Sequence, residues 1–162
     1  MACHALNHFK GNNKVWGFDT FEGHPEPSLS ETDVWGNNMN ARYHKEVDEN
    51  GSWVKSHYDS VVENLLQIRP DVTLRKGEVS SQTNEPEIER ISILRLDMDW
   101  YEPTLAALEN FYDRIETGGS IIIDDYGHHS GARKATDEFF AHHKRHLHFR
   151  HVNYSCIAAT VF

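Results

Sequence analysis

Three apolar runs in this chain each stop at an aspartate: Gly17-Phe18-Asp19, Leu94-Arg95-Leu96-Asp97 and Ile121-Ile122-Ile123-Asp124, the last followed by Asp125. Amphipathic stretches lie between them. Tyr58, Val61, Val62, Leu65, Leu66 and Ile68 recur at helical spacing, as do Leu105, Leu108, Phe111, Tyr112 and Ile115. Strand and helix alternating in this way predict an α/β fold with a mostly parallel sheet. Ligands of such sheets sit in the crevice at the carboxyl ends of the strands. The rhythm therefore predicts both an architecture and a rim where acids gather.

The spacing predicts helices over 2–9, 56–68, 104–115 and 132–143. It predicts strands over 15–18, 72–75, 91–96 and 121–123, with Gly118-Gly119 as a helix stop. Segments 147–154 and 157–162 are expected to close the sheet as a pair. Residues 21–55 are rich in Gly, Pro, Asn and acids and read as one long loop or lid inside a single domain of 162 residues. Trp16 and Phe18 are expected in the core.

Asp97 and Asp124-Asp125 end two strands joined by one helix, so they are expected to be neighbours. Like charges about 4 Å apart repel by roughly 4 kcal/mol at an intermediate dielectric. Either one carboxylate keeps its proton or a cation sits among them. Oxygen ligands without cysteine suit magnesium, calcium or manganese. The plainer alternative is that Asp124 caps the next segment or pairs with an arginine such as Arg133. Asp19 offers two acceptor oxygens at a strand end, which suits a pair of ribose hydroxyls. Such an acid normally follows a Gly-rich turn by about 20 residues. No G-x-G precedes Asp19, so the chain is expected to begin just after that turn.

His128 and His129 follow Asp125, and His128 is a candidate to orient a hydroxyl or carry a proton. His142, His143, His146, His148 and His151 crowd one stretch, readable as a metal site or, with Lys144 and Arg145, as a solvated basic patch. Trp100 and Tyr101 either wall a ligand or cover the core.

The balance of 25 acidic against 16 basic residues, a formal charge of -9, argues against general nucleic-acid binding. Two distant cysteines argue against a disulfide scaffold and a thiolate zinc site. No apolar run reaches the ~20 residues of a membrane span, and the start lacks a signal-peptide layout, so a cytoplasmic protein is expected.

Three segments, VWGFDTFEGHPEP (15–27), ISILRLDMDWYEPTLAALENFY (91–112) and GGSIIIDDYGHHSGARKATDEFF (118–140), resemble the macrocin/mycinamicin/novobiocin sugar O-methyltransferase family. The resemblance implies a Rossmann-like class I methyltransferase sheet, mostly parallel with an antiparallel C-terminal strand, here without the family's first strand and Gly-rich loop. It implies S-adenosylmethionine as donor, a small-molecule hydroxyl substrate, and Mg2+ held by Asp97, Asp124 and Asp125. Asp19, Thr20, Gly77, Glu78 and Met98 fall on cofactor positions, and Asp97 on a ligand also proposed as general base. Relatives commonly pair, so a homo-oligomer is expected. Asn153 departs from an aspartate found in some relatives, and 76–89 from the usual aromatic and acidic pattern.

Three alternatives remain at this point. LRLDMDW also resembles the D-x-D of haloacid-dehalogenase phosphatases, but Trp100 follows it and 104–115 holds no lysine. A D-x-D glycosyltransferase leaves GGSIIIDDYG unexplained. A methyltransferase-like binding protein without turnover is the third.

Overall fold

The computed structural model describes residues 2–81, 86–144 and 147–162. Helix α1 (Ala2–His8) leads to strand β1 (Val15–Asp19). Helices α2 (Met39–Asn50) and α3 (Tyr58–Ile68) precede β2 (Val72–Lys76). After a 3-10 turn at Val79–Ser81 come β3 (Ile91–Leu96), α4 (Tyr101–Phe111), β4 (Ile115–Ile123), α5 (Ser130–His142), β5 (Arg150–His151) and β6 (Ile157–Thr160). The α/β class and the antiparallel C-terminal strand are as expected. Strands β1 and β2 pair in parallel, and a second sheet runs β3-β4-β6-β5, with β3 and β4 parallel and β6 antiparallel. No hydrogen-bonded ladder joins β1 to β3 among the described residues.

The core lies between the second sheet and helices α4 and α5. Leu96, Leu108, Ile121, Ile123 and Val161 are buried there with Phe111 and Ile157. Each such side chain contributes about 1.5–3 kcal/mol by leaving water. Trp16 and Phe18 are half-buried and pack on this cluster from β1, with the Phe18 ring 5.3 Å from Phe111. No helix of the described residues is long and apolar enough to cross a membrane.

Several boundaries differ from the sequence expectation, for local reasons. Helix α4 starts three residues early, because Pro103 sits in its first turn, where no N–H is needed. It ends at Phe111 and tightens into a 3-10 turn at Tyr112–Arg114, so Ile115 already belongs to β4. Gly118-Gly119 is not a helix stop but an irregularity inside β4. The register jumps from Ile91↔Ile115 to Ile93↔Ser120, and Gly118 takes φ +87°. A Cβ on Gly119 would lie 2.9 Å from the Glu116 carbonyl oxygen. Of the expected strand 147–154, only Arg150–His151 pairs.

The 21–55 excursion is not a bare loop. It holds α2, capped by the Asn38 side chain accepting the Ala41 N–H at 2.8 Å and closed by Gly51 at φ +75°. Only Met39 and Asn40 of α2 are buried, so the helix carries no apolar stripe to betray it. The excursion is strapped to the body. Thr32 N–H donates to Ser130 Oγ at 2.8 Å, Ser130 N–H returns to the Thr32 carbonyl at 2.9 Å, and Asp33 bridges His129. Buried Glu31 accepts the Tyr101 N–H at 3.0 Å, placing a carboxylate on the N-terminus of α4.

Candidate active site

Asp97 and Asp124 stand at adjacent strand ends because β3 and β4 pair through Leu96↔Ile123. Asp97, Asp124 and Asp125 each place one carboxylate oxygen within 4.8 Å of the others. Arg95 enters this group: its Nη1 donates to Asp97 Oδ2 at 2.8 Å, and its Nη2 pairs with Asp124. The arginine that meets Asp124 is thus Arg95, two residues before the rim, whereas Arg133 donates from Nε to the Tyr126 carbonyl. The Arg95 guanidinium is partly desolvated, but the two carboxylates outweigh this and raise its pKa.

A second grouping overlaps the first. Asp99, Asp125 and His129 also bring one ligand atom each within 4.8 Å. Asp99 takes φ +55°, a left-handed conformation that turns its side chain off the strand line. Its Oδ2 lies 3.4 Å from both His24 Nε2 and His129 Nε2. Burial raises the Asp99 carboxyl to about 6, against a hydrogen bond with Asp125 that lowers it. Burial, then the charge of Asp99, raises Asp125 to about 8. Desolvation lowers His24, and with the neighbouring His128 and His24 it lowers His129 to about 4. Both imidazoles therefore stay neutral near pH 7. Trp100 and Trp53 pack on them: Trp100 lies 5.1 Å from His129 and 5.5 Å from His24, and Trp53 lies 5.5 Å from His24. Trp100 is fully buried, with its indole N–H on the Pro25 carbonyl, and so both covers the core and lines the site.

Asp19, Thr20, Gly77, Glu78 and Met98 all line one cavity of about 1100 Å³, which reaches Asp97 and Asp99. The parallel β1–β2 pairing puts Asp19 beside Lys76, and the Gly77 N–H donates to the Asp19 carbonyl at 2.9 Å. One Asp19 oxygen already accepts the Phe21 N–H at 2.6 Å. His128 lies off this cavity, in an adjoining one of about 480 Å³. Its Nδ1 is 3.5 Å from the Tyr154 hydroxyl, and it is His129 that touches Asp99. Nothing in the sequence singles out His24 beyond its place in the excursion after Asp19, and Asp99 stands out only as the second acid of the D-x-D in LRLDMDW.

The histidines near the α5 end make no metal grouping among the described residues. His143 stacks on Phe139 at 5.1 Å and contacts Asp113, and His146 lies outside the described residues. The loop carrying Asp125 is packed tightly from below. Gly127 N–H donates to the Ser155 carbonyl, and a Cβ at Gly127 would fall 1.9 Å from the Tyr154 carbonyl oxygen. Gly127→Ala is expected to cost about 1–3 kcal/mol. A urea midpoint equal to that of the parent chain would refute this packing.

A class I O-methyltransferase fold with a carboxylate rim is what these elements define. The likeness extends to solved structures. The O-methyltransferase NovP superposes with a TM-score of 0.78 at 23% identity, over 99% of this chain and 66% of that one. The calicheamicin methyltransferase CalS11 superposes with a TM-score of 0.69 at 17% identity, over 98% of this chain and 65% of that one. The chain belongs to the macrocin-O-methyltransferase (TylF) family, whose model matches residues 1–159. A tetracenomycin rhamnosyl 4'-O-methyltransferase of Streptomyces olivaceus is 30% identical over 121 residues, 70% of this chain and 42% of that protein. The mycinamicin III 3''-O-methyltransferase of Micromonospora griseorubida is 29% identical over 112 residues, 69% of this chain and 43% of that protein. The matched stretch thus spans less than half of either relative.

Proposed function

We propose that the chain is an S-adenosylmethionine- and Mg2+-dependent O-methyltransferase acting on a sugar hydroxyl of a small natural product. The observation that carries this is the joining of one large cavity, lined by Asp19 and Met98, to a rim of close carboxylates at Asp97 and Asp99. The names of the relatives, a rhamnosyl 4'-O- and a mycinamicin 3''-O-methyltransferase, favour a sugar acceptor.

The donor set fits a hard divalent ion: all ligand atoms are carboxylate oxygens, and burial, with the charges of Asp99 and Asp97, raises Asp125 to about 8. Asp97, Asp124 and Asp125 would hold it once Arg95 swings aside. When bound, such an ion lowers the pKa of the acceptor hydroxyl and fixes its position. S-adenosylmethionine supplies the electrophilic methyl group. The cavity has the volume of a cofactor site. Asp19 offers its remaining carboxylate oxygen to ribose hydroxyls, and Thr20, Gly77 and Glu78 line the same wall.

Two surroundings favour Asp99 over Asp97 as the group that removes the acceptor proton. Asp97 is exposed and paired with Arg95, whereas Asp99 is largely buried, faces the cavity and has its carboxyl raised to about 6. A base with a pKa near neutrality is the effective one. His24 and His129 hold Asp99 Oδ2 from two sides, and Trp100 excludes water behind it.

Calorimetry with S-adenosylmethionine, with and without Mg2+, tests the reading. Saturable heat is expected with cofactor alone. No heat at millimolar cofactor would reject methyl transfer and leave a methyltransferase-like binding protein.

A further inference from the structure

One large aromatic side chain lies outside the site just described and is held there firmly. Trp35 is 72% exposed, an unfavourable place for an indole with nothing on it. Its turn is not loose. Asp33, only 5% exposed, accepts the Trp35 N–H at 3.0 Å and the Asn37 N–H at 2.8 Å on Oδ1. Asp33 Oδ2 takes the Asn37 side-chain amide at 2.8 Å. Gly36, at φ +83°, completes the turn by donating to the Asp33 carbonyl at 3.0 Å. The same segment is strapped to the Asp125 loop through Thr32–Ser130 and Asp33–His129. The fold thus fixes the Trp35 backbone relative to the carboxylate rim.

Trp35 does not stand alone. Its ring meets His128 edge-on at 5.2 Å, and His128 meets Tyr154, 67% exposed, at 5.9 Å. His128 in turn lies 4.5 Å from His129, which touches Asp99. The row runs from solvent to the proposed base. The cavity of about 480 Å³ that includes His128 is also lined by Arg133, Asp137 and Glu138, beside Val34 and Tyr126. Arg133 sits over the Tyr126 ring at 5.3 Å, and Asp137 accepts the Tyr126 hydroxyl at 2.9 Å.

We propose that Trp35, backed by His128 and Tyr154, is a stacking platform for the pyranose ring of the methyl acceptor. The proposal rests on the sugar methyltransferase reading and names the surface by which it would select its acceptor. A pyranose has one face of C–H bonds, whose partial positive charge suits the negative face of an indole, and a rim of hydroxyls. The aromatic row matches the first, and Arg133 with the acids beside it matches the second. An apolar protein partner would have to strip water from those charged groups, which is costly. The contact positions the acceptor; it does not touch the reacting atoms.

The test follows the indole N–H resonances of the full chain while methyl α-L-rhamnopyranoside is added. The Trp35 resonance, identified by its loss in Trp35→Tyr, is expected to shift and saturate. Trp35→Ala should weaken rhamnoside binding about tenfold, whereas Trp35→Tyr keeps most of the affinity. The calorimetric Kd for S-adenosylmethionine should be equal in all three. An unmoved Trp35 resonance, or equal rhamnoside affinity in Trp35→Ala, overturns the platform. Dissociation of a dimer by Trp35→Ala with rhamnoside affinity retained also overturns it and assigns Trp35 to a copy–copy contact. A chain that shifts Trp35 with rhamnoside yet binds no S-adenosylmethionine keeps the platform and rejects methyl transfer.

Discussion

Asp99→Asn is expected to lower turnover by about 10²–10⁴-fold while leaving the Mg2+ dependence of the remaining rate nearly unchanged. The amide cannot take a proton, but it preserves the shape between His24 and His129. Asp97→Asn is expected to cause a loss of similar size by another route. It replaces an anionic ligand oxygen by a neutral amide oxygen, so half-saturation should move to much higher Mg2+, and excess ion should restore part of the rate. Initial rates with a rhamnosyl acceptor across a Mg2+ series separate the two. If excess Mg2+ rescues Asp99→Asn and not Asp97→Asn, the roles are reversed, and Asp97 is both ligand and base. Full activity in either variant removes that residue from the mechanism.

The metal-free chain should lose stability as pH rises from about 7 to about 8. The sign follows from proton uptake. Asp125 keeps its proton to about 8 in the fold but releases it near 3.8 when unfolded. Across that window the folded state binds more protons, so stability falls with pH. Below about 7 the balance is mixed. His24, and His129 lowered to about 4, make stability rise with pH there, while Asp99 and Asp125 make it fall. Above about 7 these two histidines are largely neutral in both states, and Asp125 dominates. Partial exposure of its carboxylate screens the effect. A decrease in Tm of roughly 2–4 °C is expected in chelator for a chain of this size. Mg2+ at pH 8 should reverse it, and Asp125→Asn should abolish the slope. A Tm that rises across this window in chelator would show that the carboxylates are not crowded as described.

The strand-end acids were readable because each closes an apolar run, and the pairing of β3 with β4 follows from the single helix between them. Other features were hidden for physical reasons. Helix α2 buries two residues, so it has no stripe to read. Gly118-Gly119 has the composition of a stop, and only the register across β3 shows that it is a bulge. His24 and His129 meet at one oxygen of Asp99 although more than a hundred residues separate them, a contact made by the strapped excursion rather than by any local pattern. Arg95 is a charged residue inside a largely apolar strand. Its role as partner of two rim acids depends on which way one side chain leans.

That arginine changes what ion uptake means for this chain. With its guanidinium across Asp97 and Asp124, the rim already has a counter-charge. On the proposed reading Mg2+ would enter by displacement, and its apparent Kd would rise in proportion to how seldom Arg95 is away. Half-saturation would then move to higher free ion concentration, set by a residue that need never touch the ion.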